Sequence, residues 1–165
     1  MINKNSTKEE VIAAVKKNGF ALRFASGELM GDRDVVLEAA KQNGWALYYA
    51  NVELQNDRAF MVEAVKQNGW ALRFASEEFK NDREIVLAAV KQNGWALQPA
   101  SNKLRADRGI VMEAVKQDGL ALLYASKELQ NDREVVLTAV RQCWYALNYA
   151  SDELKSELKK EANND

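Results

Sequence analysis

The residues in this chain best suited to chemistry are a recurring acid–base pair. Asp-Arg stands at Asp32-Arg33, Asp57-Arg58, Asp82-Arg83, Asp107-Arg108 and Asp132-Arg133, always 25 residues apart. An aspartate beside an arginine could line a polar site. The strict spacing favours a structural use. The aspartate caps or charges the start of a helix, and the arginine reaches an acid of the adjacent copy. Such a ladder would set the register between copies even where its net energy is small.

Other reactive groups are scarce. The chain contains no histidine, which removes the commonest general base and the commonest transition-metal ligand. Its one cysteine, Cys143, has no disulfide partner and no imidazole to activate it. No P-loop, dinucleotide fingerprint, zinc spacing or calcium loop is present. No catalytic residue, metal or cofactor is therefore expected, and the chain reads as a non-enzyme. Lysine and arginine number 23 against 24 acidic residues, a net charge of -1. Dedicated nucleic-acid binders carry a basic excess, so a nucleic-acid partner is not expected. No apolar run approaches 18 residues, and the start of the chain is polar, so neither a membrane span nor a signal peptide is expected. A lone cysteine suits a reducing compartment, or simple indifference to redox state. That predicts a cytoplasmic protein, or a secreted effector acting in a host cytosol.

The elements that must position these residues follow from the repeat. A period of 20–50 residues means a solenoid or an array. Six units run in register, over 7–31, 32–56, 57–81, 82–106, 107–131 and 132–156, with a polar tail over 157–165. All belong to one repeat domain spanning 1–165. Each unit reads as two helices. Helix A, as in 82–93, buries a broad face through Ile85, Val86, Ala89 and Val90. The residue before Asp-Arg, such as Asn81 or Asn131, is expected to be its N-cap. Glu84 or Glu134 would then complete a capping box. Gly19, Gly44, Gly69, Gly94 and Gly119 are expected to end helix A in a left-handed turn. Helix B spans roughly 46–54, with Leu47, Ala50 and Leu54 as its buried stripe. Pro99 falls inside helix B of the fourth unit. Either that helix starts late, or the Trp-Ala-Leu segment forms a separate turn. Trp45, Trp70, Trp95, Phe24, Tyr49, Phe74, Tyr124 and Tyr149 recur at what reads as a core phase.

Helices this short persist only by stacking, each unit covering the next. In such arrays recurring positions build the scaffold, and varied ones are free to be specific. Three varied rows follow Ala-Leu at i, i+4 and i+7, one face of an α-helix. They supply the candidate binding strip: Arg23, Tyr48, Val52, Arg73, Glu77, Lys80, Gln98, Asn102, Arg105, Leu123, Lys127 and Asn148. Gly27, Met30, Gln55, Gln130, Asp152 and Lys155 complete the rows. The rows carry six cations and two anions, but Glu28, Glu53, Glu78, Glu128 and Glu153 sit one residue away and offset them.

The unit A-L-x-Y-A-S-x-E-L-x-x-D-R-E-V-V-L-x-A-V-x-x-x-G, clearest over 121–140, resembles the family called domain of unknown function 4116. The resemblance covers nearly the whole chain. It implies a helical tandem repeat, found in multi-repeat proteins of bacteria and microbial eukaryotes, including pathogen effectors, and it implies no catalytic residue. The departures lie at Thr7-Lys8, Pro99 and Cys143-Trp144. The expectation is an all-α, right-handed α-solenoid-like superhelix of six two-helix units that binds an unidentified protein or peptide along the strip. A structural, self-assembling or consensus-designed array is the alternative, and weak nucleic-acid binding a second.

Overall fold

The computed structural model describes residues 2–162, so residues 163–165 of the expected tail lie outside the described residues. All regular elements among the described residues are helical. Ten-residue α-helices recur at Lys8–Lys17, Arg33–Gln42, Arg58–Gln67, Arg83–Gln92, Arg108–Gln117 and Arg133–Gln142. Each packs on the helix A of the next unit, so the units lie down in sequence as successive layers. Val35, Val36, Ala39 and Ala40 of the second helix A are fully buried, as are Ile85, Val86, Ala89 and Val90 of the fourth. One continuous core runs from Val11 to Leu158.

The caps decide between the two readings of the sequence. The N-cap is the aspartate itself, not the residue before it. Asp32 Oδ1 accepts from the amides of Asp34 and Val35, and Asp82 Oδ1 from those of Glu84 and Ile85. A short carboxylate in extended backbone satisfies two orphan amides at once. Only the first unit has a full capping box, between Thr7 and Glu10.

The end of helix A is also different. No residue among those described has positive φ, so there is no left-handed turn. The helix stops because the next residue is extended: Asn68 has φ -155 and ψ 114. Its side-chain oxygen accepts from the amide of Trp70 at 3.1 Å and starts a new helix. Glycine is required for space. A Cβ on Gly69 would stand 2.5 Å from the carbonyl oxygen of Ala89, in helix A of the next unit. In the sixth unit Trp144 takes the glycine's place.

Helix B is not one helix. The expected span of about 46–54 is split into a 3-10 helix, Gly44–Tyr49, and one turn of α-helix, Val52–Gln55. Extended backbone at Ala50 separates them. The same division appears at Gly19–Phe24 with Gly27–Met30, and at Gly69–Phe74 with Glu77–Lys80. In the fifth unit the last turn is itself 3-10, at Leu129–Asn131. The fourth unit settles the Pro99 question. Trp-Ala-Leu lies in a separate 3-10 turn, Gly94–Leu97, which ends early because proline has no amide to give. The sixth unit runs on as one helix, Asp152–Ala162, so residues 157–162 of the expected polar tail are helical. Leu154 and Leu158 of that helix are buried against the last layer.

The cation after each cap reaches the next unit's acid, as the ladder requires. Lys8 meets Asp32 at 2.8 Å, Arg58 meets Asp82 at 3.1 Å, Arg83 meets Asp107 at 3.0 Å and Arg108 meets Asp132 at 2.8 Å. Arg133 closes the series on Glu157 and Glu161, at 3.2 and 2.7 Å. A second ladder joins neighbouring units through their backbones. The amides of Ser101, Ser126 and Ser151 donate to the carbonyls of Lys80, Arg105 and Gln130, each at 2.9 Å. The Lys80 and Arg105 carbonyls end their short helices, where carbonyls lack partners within the helix.

Candidate functional site

The 3-10 geometry decides which side chains face outward. With three residues per turn, positions i and i+3 eclipse. Gly44, Leu47 and Ala50 therefore form one buried face, and Trp45 and Tyr48 share the opposite one. The equivalent leucines, Leu22, Leu47, Leu72, Leu97, Leu122 and Leu147, are all buried. The residue after each of them is the first row of the strip: Arg23, Tyr48, Arg73, Gln98, Leu123 and Asn148. Gln98 is half-buried and the other five are exposed.

The second row opens each short helix. Gly27, Val52, Glu77, Asn102, Lys127 and Asp152 are all exposed. The third row turns inward, which corrects the expectation of three equivalent rows on one helix face. Gln130 is only 6% exposed, and its Nε2 donates to the carbonyls of Leu122 and Leu123. Gln55 does the same toward Leu47 and Ala50. The short helix is a separate element, so its last residue folds back over the 3-10 helix. Lys80 and Arg105 are half-buried and engage Glu77 and Asn102 of their own turn.

Several strip residues are brought together in open clefts between units. Asn102, Arg105, Leu123 and Lys127 line one of about 290 Å³. Leu123, Lys127 and Asn148 line the next, of about 470 Å³, so the two share a wall. At the other end, Arg23 lines a cleft of about 450 Å³ with Phe20, Phe24 and Tyr49. Arg73 joins two units by donating from Nη1 to Gln98 Oε1 at 2.9 Å.

The aromatic residues read at core phase lie at the edge of the core and not inside it. Phe24 and Trp45 are 41% and 40% exposed, and Trp70, Trp95, Tyr49, Phe74, Tyr124 and Tyr149 are half-buried. Alanine and leucine fill the interior of each 3-10 turn, and the rings lie across the seams between units. Trp45 meets Trp70 at 6.1 Å and Phe74 edge-on at 5.6 Å. Trp95 meets Tyr124 at 5.6 Å, and its Nε1 donates to Asp118 at 2.6 Å. The guanidinium of Arg73 lies 4.9 Å from the Trp45 ring, and that of Arg23 lies 4.4 Å from Phe24. Phe20, Trp45 and Tyr49 thus belong to the surface that Arg23 and Tyr48 occupy. The three-residue spacing of Trp45 and Tyr48, together with a proline at the equivalent of Tyr49, was the available sign.

The carboxyls of the ladder are perturbed by their partners. At Asp132 the Arg108 guanidinium holds the carboxyl below its usual range, against a smaller upward push from burial. At Asp82 burial pushes up, but the Ile85 amide and the Arg58 guanidinium together outweigh it. Among the described residues no three His, Cys, Asp or Glu side chains converge as a metal site, and no helix is long and apolar enough to cross a membrane.

Comparison with known proteins agrees with the periodicity. No curated protein and no solved structure matches the chain. The model of one family, Domain of unknown function (DUF4116), matches three times in tandem, over residues 7–55, 56–105 and 107–155. Each match spans two of the 25-residue units. The chain therefore belongs to the family Domain of unknown function (DUF4116).

Proposed function

We propose that the chain is a non-enzymatic scaffold that binds a protein or peptide segment across the outward faces of its 3-10 and short helices. One observation carries this reading. Adjacent positions obey opposite rules: the buried residue of the 3-10 turn is leucine in every unit, while its outward neighbour is Arg23, Tyr48, Arg73, Gln98, Leu123 or Asn148. A surface that varies on an invariant frame lets one array present a specific sequence of contacts. The shared cleft through Leu123 and Lys127 gives that surface relief. End-to-end fibre assembly is less well supported. Trp144 stands where a further layer would need glycine, and Glu157 ends the aspartate series inside a continuous helix.

The test is a comparative capture from the native host. Wild-type chain is set beside one carrying Tyr48→Ser, Arg73→Ser, Gln98→Ser and Leu123→Ser. Partners retained by the wild type and lost by the variant support the reading. Equal recovery of every partner by a folded variant refutes it.

A further inference from the structure

Between the fourth and fifth units two cations share a cleft that no acid lines. The Ser126 amide donates to the Arg105 carbonyl at 2.9 Å, which brings Lys127, the next residue, beside Arg105. The equivalent positions at the other junctions are Met30 with Val52, Gln55 with Glu77, Lys80 with Asn102 and Gln130 with Asp152, none of them two cations. Arg105 and Lys127 both line the cleft of about 290 Å³, with Asn102, Leu123, Tyr124 and Ser126 among its walls. Their hydrogen-bond partners are neutral. Arg105 Nη2 donates to Asn102 Oδ1, and Lys127 Nζ donates to Gln130 Oε1 at 2.9 Å. Gln130 is itself pinned by the Leu122 and Leu123 carbonyls. Among the described residues neither cation has a carboxylate partner. The flanking units differ: Glu77 meets Lys80 at 2.8 Å, and Asp152 meets Lys155 at 3.5 Å. An amide acceptor holds a cation in place as a carboxylate does, but leaves its charge for a ligand. Lys103 adds to that charge, since it stands where the other units have Glu28, Glu53, Glu78, Glu128 and Glu153. The short turns 102–105 and 127–130 thus hold three cations and one acid. That acid, Glu128, is tied by its own amide and the Ser126 hydroxyl and does not line the cleft.

From this juxtaposition, and resting on the binding role proposed above, we infer that the cleft holds the phosphorylated side chain of a peptide partner. A phosphoryl group carries a charge of about -1.5 to -2 at pH 7 and three strong acceptor oxygens. Arg105 offers a planar fork for two of those oxygens, and Lys127 a point charge for the third. An aspartate or glutamate of a partner brings one charge to two cations and leaves one unanswered. Leu123, 40% exposed, gives the cleft an apolar wall for a neighbouring peptide residue. The positive region is confined to this one junction. Glu77 and Glu78 stand in the unit before it, and Asp152 and Glu153 in the unit after it. One phosphoryl group sits between those acids, whereas a nucleic-acid backbone running along the units would cross them.

Fluorescein-labelled Ala-Leu-phosphoserine-Leu-Ala is titrated with the full chain and followed by anisotropy. The comparison probes are the same peptide with serine, the same peptide with glutamate, and a twelve-nucleotide oligo-dT. The phosphopeptide is expected to bind at least tenfold tighter than the other three. Arg105→Gln and Lys127→Gln should each weaken it about tenfold, the scale of a hydrogen bond to a charged group. Asn102→Glu leaves both cations in place but supplies the acid that Glu77 gives Lys80, and should weaken binding as much. Lys91→Gln removes the same charge from the exposed face of helix A and should leave binding unchanged. None of these four side chains is buried, and circular dichroism melts check that each variant folds. Equal binding of the serine or glutamate peptide, tighter binding of oligo-dT, or indifference to Asn102→Glu overturns the inference. Displacement of the phosphopeptide by inorganic phosphate at equal concentration would mark a free-phosphate site and overturns it too. If the phosphopeptide fails while the four-residue variant still loses captured partners, this inference falls and the scaffold reading stands. If neither probe nor partner distinguishes wild type from variant, both fall.

Discussion

Gly69→Ala tests why this repeat needs glycine. The added Cβ would stand 2.5 Å from the carbonyl oxygen of Ala89, where ordinary contact begins near 3.4 Å. Both atoms belong to the frame, so layers three and four must part by most of an ångström. Forcing one methyl into a packed interior costs about 1–3 kcal/mol. The stiffer unfolded chain returns about 0.4–1 kcal/mol of that, leaving a net loss of roughly 1–2 kcal/mol. Urea unfolding at an m-value of about 1–3 kcal/mol/M should register it as a midpoint lowered by roughly 0.5–1 M. Gly69→Asn separates crowding from backbone conformation. Asparagine tolerates the left-handed region better than alanine does, so a left-handed cap would make it the milder change. Crowding makes it the harsher one, because it is larger. Gly27→Ala is the internal control: nothing lies within 4 Å of its Cβ, and it opens a helical turn. It should stabilise by about 0.4–1 kcal/mol. Gly69→Asn melting above Gly69→Ala would refute the close-approach account.

Other expectations follow from the same frame. Leu97→Ala, fully buried in the short fourth 3-10 turn, should cost about 2–5 kcal/mol in denaturant melts without altering the surface. Asp107→Ala removes a cap on the Ile110 amide and the partner of Arg83, and should cost about 0.5–2 kcal/mol. Arg83→Ala should lower the melting temperature in low salt. Because the pair is exposed, the difference should shrink at 1 M salt, and peptide binding should be unaffected. Asp32, Asp82, Asp107 and Asp132 all have carboxyls held below their usual range. The unfolded chain therefore binds more protons near pH 4, so stability is full above about pH 4. It should fall as pH drops through the folded values. Melts from pH 6 to pH 2 that show no such decline would contradict the ladder.

The helical class, the period and the ladder were legible because they rest on spacing alone. Asp-Arg at a constant interval needs no coordinates to imply a partner one unit away. Three local features were not legible, for one shared reason. The cap at Asp82, the role of Gly69 and the break after Tyr49 depend on how closely the next layer approaches and on whether a turn holds three or 3.6 residues. Alanine and leucine patterns serve both kinds of turn. Assuming 3.6 placed Trp45 and Tyr49 in the core and put Lys80 and Arg105 on the same footing as Arg73. At three residues per turn the rings lie at the core's edge, across the seams between units, and the third row folds inward. Pro99 was the one residue incompatible with a continuous α-helix.

This division of labour bears on how such a surface can change. Arg73, Gln98 and Leu123 contribute little to the core, because the adjacent leucines carry the burial. Substitutions away from caps, cores and strained backbone usually stay within about 0.5 kcal/mol. Arg73→Ser and Leu123→Ser should therefore leave the denaturant midpoint nearly unchanged. Gln130→Ala should not, although it belongs to the same set of varied positions: its buried amide donates to the Leu122 and Leu123 carbonyls, and although the Leu122 carbonyl keeps the Ala125 amide, removing the donor from the Leu123 carbonyl costs about 1–3 kcal/mol. Denaturant melts of the three variants should rank them by burial and not by variability. A Gln130→Ala chain as stable as Arg73→Ser would mean that the inward turn of the third row is incidental, and that all three rows are free for binding.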